Sequence, residues 1–150
     1  ALAIRRAQNM TLAARRAQKF DGTYATPPGY GVYFDLATPS TILIYADFHT
    51  SGSNKGTYSP SAGGPNRDMA VETITLPTAI VVDEMFSNLA GPMKSETILN
   101  VSFIVPESLM SIKDNSSDVG GGSAEVFLEG RRVNLRRSVI GRTSGQIRGK

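Results

Sequence analysis

The sequence contains no cysteine and only one histidine, His49. Without cysteine, the chain has neither disulfide bonds nor thiolate ligands for a metal. No apolar run in it approaches the roughly 20 residues that a membrane-spanning helix requires. A nucleophilic triad would have to use His49 as its base. These absences exclude a disulfide scaffold and leave one position for imidazole chemistry.

The signatures of two common enzyme classes are also missing. The sequence has no GxSxG nucleophile elbow and no GxxxxGK[ST] phosphate loop. Asp47 stands two residues before His49, and Ser51 and Ser53 follow it, so a hydrolase that uses this loop is one alternative. We expect instead that His49 is an exposed loop residue and that the chain is not an enzyme.

Positive charge is concentrated at the end of the chain. Residues 131–150 hold seven of the sixteen lysines and arginines and none of the thirteen acidic residues. The net charge of +3 therefore hides an acidic first part. Such a local patch is a candidate binding surface for phosphate or an acidic partner. The segment has no aromatic residue, so it offers no base stacking.

An Ala-rich amphipathic pattern opens the chain and predicts a helix over residues 1–20. Gly22 stands just past its last turn, where helices commonly stop. Since the chain starts inside this pattern without an N-cap residue, we expect the helix to continue upstream of Ala1. Its apolar face, the predicted assembly face, recurs at spacings of three and four and comprises Ala3, Ala7, Met10, Ala14 and Ala17.

After the helix, short runs rich in β-branched and aromatic residues alternate with segments rich in glycine, serine, asparagine and proline. The first two predicted strands should form a hairpin, and so should 123–129 and 132–140 across Gly130-Arg131. Residues 49–68 and 106–122 are predicted to be long loops. The eight predicted strands cover residues 30–36, 41–47, 71–76, 79–86, 98–105, 123–129, 132–140 and 145–148.

A single domain over residues 1–150 accommodates this pattern, because the chain is long enough for one hydrophobic core. Strands follow strands with no helix between them, so the sheets should be antiparallel. The sequence therefore predicts an α+β fold. In it, a helix stem of residues 1–20 packs on two antiparallel β-sheets in a head of residues 29–150. Such packing would bury the Ala/Met face of the helix.

Several segments, taken in order, resemble the type IV pilin-like proteins, and most closely the GspH/FimT-type pseudopilins. They are the helix ending RAQNMTLAARRAQKF, the strand GYGVYFD, the strand ILIYAD with the loop after it, and the closing RTSGQIR. The resemblance covers nearly the whole chain and depends on the order of these segments. It implies a pilin-like arrangement of a helix and antiparallel sheets.

The resemblance also implies a function. In this family an apolar helical half, which follows a cleavage motif and has a methylated N-terminus, anchors the subunit in the inner membrane and later packs in a filament core. The chain would then be a non-catalytic minor pilin or pseudopilin of a type IV pilus or type II secretion filament. Its partners would be other subunits, and its globular part would be periplasmic or extracellular.

A DNA-binding minor pilin of a DNA-uptake pilus is the alternative function. Some FimT-type proteins bind DNA and carry a C-terminal Gly-Arg-x-Arg motif. Gly145, Gln146 and Arg148 stand at the matching places here, so glutamine replaces the first arginine. The candidate contacts to DNA phosphates are Arg131, Arg132, Arg136, Arg137, Arg142, Arg148 and Lys150.

Oxygen ligands for a cation occur in two loops. Residues 114–118, DNSSD, or the set Asp47, Asn54 and Asp68 could offer oxygens to calcium, and pilin-like proteins sometimes carry calcium in such loops. The EF-hand spacing is absent. These residue types also form turns by bonding to their own backbone. We therefore expect no cofactor and no metal, with loop calcium as the alternative.

Overall fold

The structure is a computed structural model, and it describes residues 1–61, 64, 66–88, 92–105, 109–114, 118–119, 123–130, 135–142 and 147–149. In this part of the chain, one helix, α1 (Leu2–Leu12), precedes thirteen strands. The strands are β1 (Ala17–Gln18), β2 (Tyr24–Ala25), β3 (Gly29–Asp35), β4 (Thr41–Asp47), β5 (Met69–Thr75), β6 (Ile80–Asn88), β7 (Lys94–Ser95), β8 (Ile98–Ile104), β9 (Leu109–Lys113), β10 (Asp118–Val119), β11 (Ser123–Gly130), β12 (Leu135–Arg142) and β13 (Ile147–Gly149).

The strands form three sheets, and every described strand pair is antiparallel, as predicted. A six-stranded sheet has the order β10-β9-β8-β3-β4-β5, and a five-stranded sheet has the order β13-β12-β11-β6-β7. The strands β1 and β2 pair with each other in a two-stranded ribbon. The predicted hairpin of the first two long strands is confirmed as the pair β3–β4.

One hydrophobic core joins α1 to both large sheets. The helix contributes Ile4, Ala7 and Met10 to this core. The six-stranded sheet contributes alternate residues of its central strands, such as Val32, and the five-stranded sheet contributes residues such as Val126. Successive residues of a strand point to opposite faces of the sheet. The six-stranded sheet therefore packs one face on this core, and its other face can pack on a different segment of the chain.

The predicted α+β class is wrong, because the described chain is mostly β. Half of it is strand in three sheets, and its helix has 11 residues. The predicted helix stem over 1–20 is too long, since α1 ends at Leu12 and the two-stranded ribbon begins at Ala17. Gly22, read from the sequence as the helix stop, lies instead in the turn of that ribbon with a φ of 84°.

The helix ends early because the chain closes a Schellman motif there. The Arg15 N–H donates to the Met10 carbonyl at 3.1 Å, and the Ala14 N–H donates to the Thr11 carbonyl at 3.0 Å. This pair of bonds requires a left-handed residue at the position after the cap. Ala14 takes that role with a φ of 46°. An alanine in this conformation is strained by its Cβ atom, so helix propensity did not reveal the stop.

Replacing Ala14 with glycine is expected to stabilise the protein by about 1 kcal/mol, because glycine adopts the left-handed conformation without Cβ strain. Urea denaturation should show a higher midpoint with an unchanged slope. The matched control is Ala13→Gly, at a φ of −79°. There glycine relieves no strain and should destabilise by about 0.5–1 kcal/mol. Equal effects of the two substitutions would contradict the assignment of strain to Ala14.

Thr11 fixes the helix to the six-stranded sheet. Its buried hydroxyl has one proton to donate, which the Ala7 carbonyl at 3.1 Å and the Phe103 carbonyl at 3.3 Å share as acceptors. The same oxygen accepts the Tyr30 N–H at 3.1 Å. Tyr30 in turn donates its phenol to the Arg15 carbonyl at 2.7 Å, just after the helix. Contacts to β3 and β8 therefore set both where α1 lies and where it ends.

Two details of the predicted strands also need correction. The predicted loop 106–122 contains the strands β9 and β10. The predicted turn at Gly130-Arg131 is wrong, because Gly130 pairs with Leu135 and the connection is 131–134, outside the described residues. Although β5 and β6 are adjacent in sequence, they belong to different sheets. These features depend on pairing between strands that are distant in the sequence, which the alternation of apolar and polar residues within one strand does not predict.

Candidate functional site

A long loop covers the face of the six-stranded sheet that is turned away from α1. It comprises residues 48–68, of which 62, 63 and 65 lie outside the described residues, and it joins β4 to β5. Its residue Tyr58 packs against Tyr33 and Tyr45 of the sheet, with ring centroids 5.2 and 5.3 Å apart. The Tyr58 N–H also donates to the Asn100 side-chain oxygen of β8 at 2.9 Å. The predicted loop is therefore present and is packed on the sheet.

Two buried carboxylates hold this loop at its ends. Asp47, the last residue of β4, is 0% exposed, and Asp68, just before β5, is 1% exposed. The backbone N–H groups of His49 and Gly56 donate to the two oxygens of Asp47, at 2.8 and 2.6 Å. Those of Phe48 and Ser59 donate to the two oxygens of Asp68, at 3.1 and 2.8 Å. Both side chains thus organise the loop backbone.

The imidazole of His49 lies between the two carboxylates. Its Nδ1 atom is 3.1 Å from Asp68 Oδ1 and 3.6 Å from Asp47 Oδ1. The His49 side chain is only 14% exposed. The expectation of an exposed loop histidine is therefore wrong: the turn after Asp47 folds the ring back over both carboxylates. We call Asp47, His49 and Asp68 the loop-base cluster.

Burial makes the ionised form of both carboxyl groups unfavourable. The pKa of Asp47 is raised to about 6, mainly by burial; the Gly56 N–H lowers this pKa and the charge of Asp68 raises it. Burial likewise raises the pKa of Asp68, while the Ser59 and Phe48 N–H groups lower it. The cluster therefore concentrates negative charge that its hydrogen bonds compensate only in part.

Buried polar atoms without partners lie on the sheet face beneath this loop. The Tyr45 hydroxyl, the Asn100 side-chain nitrogen and the Ser102 hydroxyl are buried without a hydrogen bond. Burial, and next the charges of Asp47 and Asp68, raise the pKa of Tyr45 well above its usual value. Ser102 lies close enough to lower that pKa slightly, although the two hydroxyls do not meet hydrogen-bond geometry. Such atoms are rare in native proteins and call for an explanation.

The hydrolase alternative finds no nucleophile here. Ser51 and Ser53 are exposed, and neither is hydrogen-bonded to His49 among the contacts that the structure describes. Nδ1 of His49 faces the carboxylates, so a nucleophile would have to approach the opposite ring nitrogen. In the described part of the chain, the imidazole is therefore oriented by carboxylates and has no hydrogen bond to a serine.

The candidate DNA-binding positions fall on the edge of the five-stranded sheet. Arg136, Arg137 and Arg142 belong to β12, and Arg148 belongs to the edge strand β13. Arg148 is opposite Ile140 in the register. Because opposed residues share a face, Arg136, Arg142 and Arg148 are placed on one face and Arg137 on the other. Outside the described residues lie Arg131, Arg132 and Lys150.

The neighbouring strand adds acidic residues to that face. Glu129 of β11 is directly opposite Arg136, and Glu125 is opposite Ile140. Cross-strand pairs of opposite charge stabilise a sheet by roughly 0.2–1 kcal/mol. In the strand register, acidic positions of β11 are therefore opposite β12, whereas β13 carries Arg148 opposite Ile140.

The predicted assembly face of the helix is turned mainly toward the chain's own sheet. Ala7 and Met10 are buried, and Ala3 is half-buried. Ala14 follows the helix, and Ala17 is buried in β1. The buried members of this set are not accessible to a second subunit. The described helix is too short and too polar to cross a membrane.

The loop-base cluster joins parts of two candidate sites that the sequence predicts separately. One is Asp47 with His49, and the other is Asp47 with Asn54 and Asp68. The structure brings Asp47, His49 and Asp68 together and leaves Asn54 exposed. A usable signal was the position of Asp47 and Asp68, which flank a long loop between two strands. The possible calcium ligands 115–117 lie outside the described residues.

Comparison of the chain with protein-family models, with curated proteins and with solved structures finds no match. Inference of function therefore rests on three features of the molecule. They are a helix with one open face, the loop-base cluster under a long loop, and basic positions along two adjacent strands.

Proposed function

We propose that this protein is a non-catalytic structural subunit, a minor pilin or pseudopilin, of a type IV pilus or a type II secretion filament. The resemblance to GspH/FimT-type proteins supports this, because its segments GYGVYFD and ILIYAD lie at the centre of the six-stranded sheet as β3 and β4. The observation that carries the proposal is α1, which packs one face on the chain's own sheet and leaves the opposite face open.

The open face of α1 carries two leucines. Leu2 is 82% exposed and Leu12 is 61% exposed. Full burial of a leucine side chain is worth roughly 1.5–3 kcal/mol, and these two forgo most of it in the isolated chain. A second copy of the subunit that packs its own helix against this face would recover that free energy. The leucines are therefore the proposed contacts between neighbouring subunits.

Arginines between the leucines would set the register of that contact. Arg6 is already paired with Glu72 of β5, with a nitrogen–oxygen distance of 2.9 Å. Arg5 is exposed and has no acidic partner at ion-pair distance within the described chain. An acidic residue of a neighbouring subunit would meet it there. Such pairs select orientation more than they add affinity.

Membrane attachment is part of the same proposal. An apolar segment that precedes α1 would hold the subunit in the inner membrane before assembly, with the globular part on the periplasmic or outer side. We expect a protein that carries such a segment to sediment with membranes. Full-length protein that stayed monomeric in buffer without detergent would contradict the proposal.

Cysteine cross-linking tests the assembly contact, because the chain has no cysteine of its own. Leu12→Cys, expressed in the native cell from the complete gene, should give a ladder of multimers after oxidation. The matched control is Ser51→Cys, an exposed position in the loop on the other side of the sheet. Equal cross-linking of both variants, or none with Leu12→Cys, would overturn the helix contact.

DNA binding through β12 and β13 is the second candidate function. The specific observation is that antiparallel pairing places Arg142 and Arg148 on one face of adjacent strands at a sheet edge. Each phosphate that such residues neutralise adds to the salt dependence of binding. This arrangement suits contact with the phosphate backbone, without base-specific readout.

Gel-shift titrations of duplex DNA at low and high salt test this candidate. Charge removal with Arg142→Gln and Arg148→Gln should weaken binding and reduce the salt slope by about one per phosphate contact. Arg5→Gln, on the helix, is the control and should leave binding unchanged. Absence of binding at low salt, or equal loss with the control, would remove DNA binding from consideration.

A further inference from the structure

The loop-base cluster has the spacing of metal ligands. One ligand atom from each of Asp47, His49 and Asp68 lies within 4.8 Å of the other two. In a tetrahedral site with bonds of about 2.0–2.1 Å, neighbouring ligand atoms are about 3.3 Å apart. The His49 Nδ1 distances to the two carboxylates, 3.1 and 3.6 Å, bracket that value. A small adjustment of side chains would therefore give three bonds to one ion.

The supporting hydrogen bonds already orient the two carboxylates. Each oxygen of Asp47 and Asp68 accepts one backbone N–H of the loop, from His49, Gly56, Phe48 or Ser59. A carboxylate oxygen has a second lone pair that such a bond leaves free. Groups that hold ligands in this way are characteristic of metal sites and raise their affinity.

The charge of the cluster is also suited to a cation. Two carboxylates are buried there, and among the described ion pairs the side chain that contacts both is that of His49. When the imidazole is neutral, the cluster carries two negative charges away from solvent. A divalent cation would neutralise both, whereas burial of uncompensated charge is costly.

The Tyr45 hydroxyl is a separate indication of a missing partner. It is fully buried, has no hydrogen bond, and lies on β4 two residues before Asp47, on the same face of the sheet. It is close enough to Asp47 and Asp68 to feel the charge of both. A water molecule bound to an ion in the cluster would give this hydroxyl the partner that the protein does not.

We infer that Asp47, His49 and Asp68 bind a divalent first-row transition metal ion of the Zn²⁺ type. Three protein ligands leave a fourth position for water. This site lies in the head of the protein and does not depend on the proposed filament function. It also departs from the expectation of no metal that the sequence supported.

The donor set favours Zn²⁺ over Ca²⁺. Calcium takes six to eight oxygen ligands, whereas this cluster offers one imidazole nitrogen and two carboxylates. When no metal is bound, Nδ1 of His49 donates its proton to Asp68 Oδ1 at 3.1 Å, because an ionised carboxylate can only accept. Coordination of Nδ1 moves that proton to Nε2 of the same ring, so the imidazole binds the ion as a neutral ligand.

Calorimetry and NMR on the whole chain test the inference. After treatment with a chelator and dialysis, titration with ZnCl₂ should show one ion per chain, and CaCl₂ should bind far more weakly. Because His49 is the only histidine, its ring signals report directly on coordination. They should shift to a single new position at one equivalent of Zn²⁺.

Variants separate this site from adventitious binding. His49→Gln is expected to weaken Zn²⁺ binding by about 100-fold, and Asp68→Asn by at least about 10-fold. The control is Asp21→Asn, an exposed aspartate in the turn of the ribbon. Zn²⁺ that bound without shifting the His49 signals, or that bound His49→Gln as tightly, would overturn the assignment. The wild-type NMR result decides the case if a variant fails to fold.

Discussion

Gly31→Ala is expected to destabilise the protein by about 3 kcal/mol, the upper part of the usual range for overpacking. The added Cβ atom would fall within the ring of Tyr45, in contact with its Cζ atom and only 2.5 Å from its hydroxyl oxygen. Tyr45 is 0% exposed, so its ring has no free space to enter. Thermal unfolding should show a fall in Tm of about 6–12 °C for a chain of this size.

A double-mutant cycle identifies the cause of that loss. Tyr45→Leu shortens the side chain that covers Gly31, so the pair Gly31→Ala/Tyr45→Leu should lose much less than the sum of the single losses. Gly52→Ala serves as the control, since no atom lies within 4 Å of its Cβ position and only its φ of 85° is unfavourable. It should cost about 1 kcal/mol. Additive losses at Gly31 and Tyr45 would contradict the packing explanation.

Asp47→Ala is expected to release the loop between β4 and β5. The substitution removes the acceptor of the His49 and Gly56 N–H groups, and each buried donor left unpaired costs about 1–3 kcal/mol. Relief of the buried charge offsets part of this loss. We expect a net cost of about 3 kcal/mol by urea denaturation in the presence of a chelator, and faster trypsin cleavage after Lys55 by about 10- to 100-fold.

Two further substitutions separate hydrogen bonding from charge. Asp47→Asn keeps one acceptor oxygen and removes the charge, so its loss of stability should be smaller than that of Asp47→Ala.

The control is Asp35→Ala, which removes the carboxylate that accepts the Ala37 N–H at 2.8 Å in a different turn. It should leave the cleavage rate after Lys55 unchanged. If Asp47→Ala cleaved no faster than the native chain, the carboxylate would not be what holds the loop.

The strands of the six-stranded sheet show which strands the alternation of residues predicts and which it misses. The alternation in YGVYFD and TILIYAD predicts β3 and β4, and the structure pairs them in a hairpin. In the same sheet, β9 lies within a segment that the sequence represented as a loop. Its five residues are too few for alternation to stand out. They become a strand because the edge of β8 offers them backbone partners.

The loop-base cluster shows the corresponding limit for the site. Asp47 and Asp68 are twenty-one residues apart, and each resembles an ordinary turn aspartate when taken alone. They meet because β4 and β5 are neighbours in the sheet and bring the two ends of the loop together. Burial of the carboxylates and the position of His49 between them follow from that closure. Tyr45 and Asn100 lie on the sheet face under the same loop, and only the strand register shows that they share this face.

By itself, the sequence determined the antiparallel β character, the opening helix, the hairpin of β3 and β4, and the absence of any thiolate chemistry. These features depend on residue type and short-range periodicity, which are properties of the chain before it folds. Only the tertiary structure decided that α1 stops at Leu12, that β5 and β6 enter different sheets, and that two aspartates enclose the single histidine. Each of these depends on contacts between distant segments, where packing and backbone hydrogen bonding outweigh local propensity.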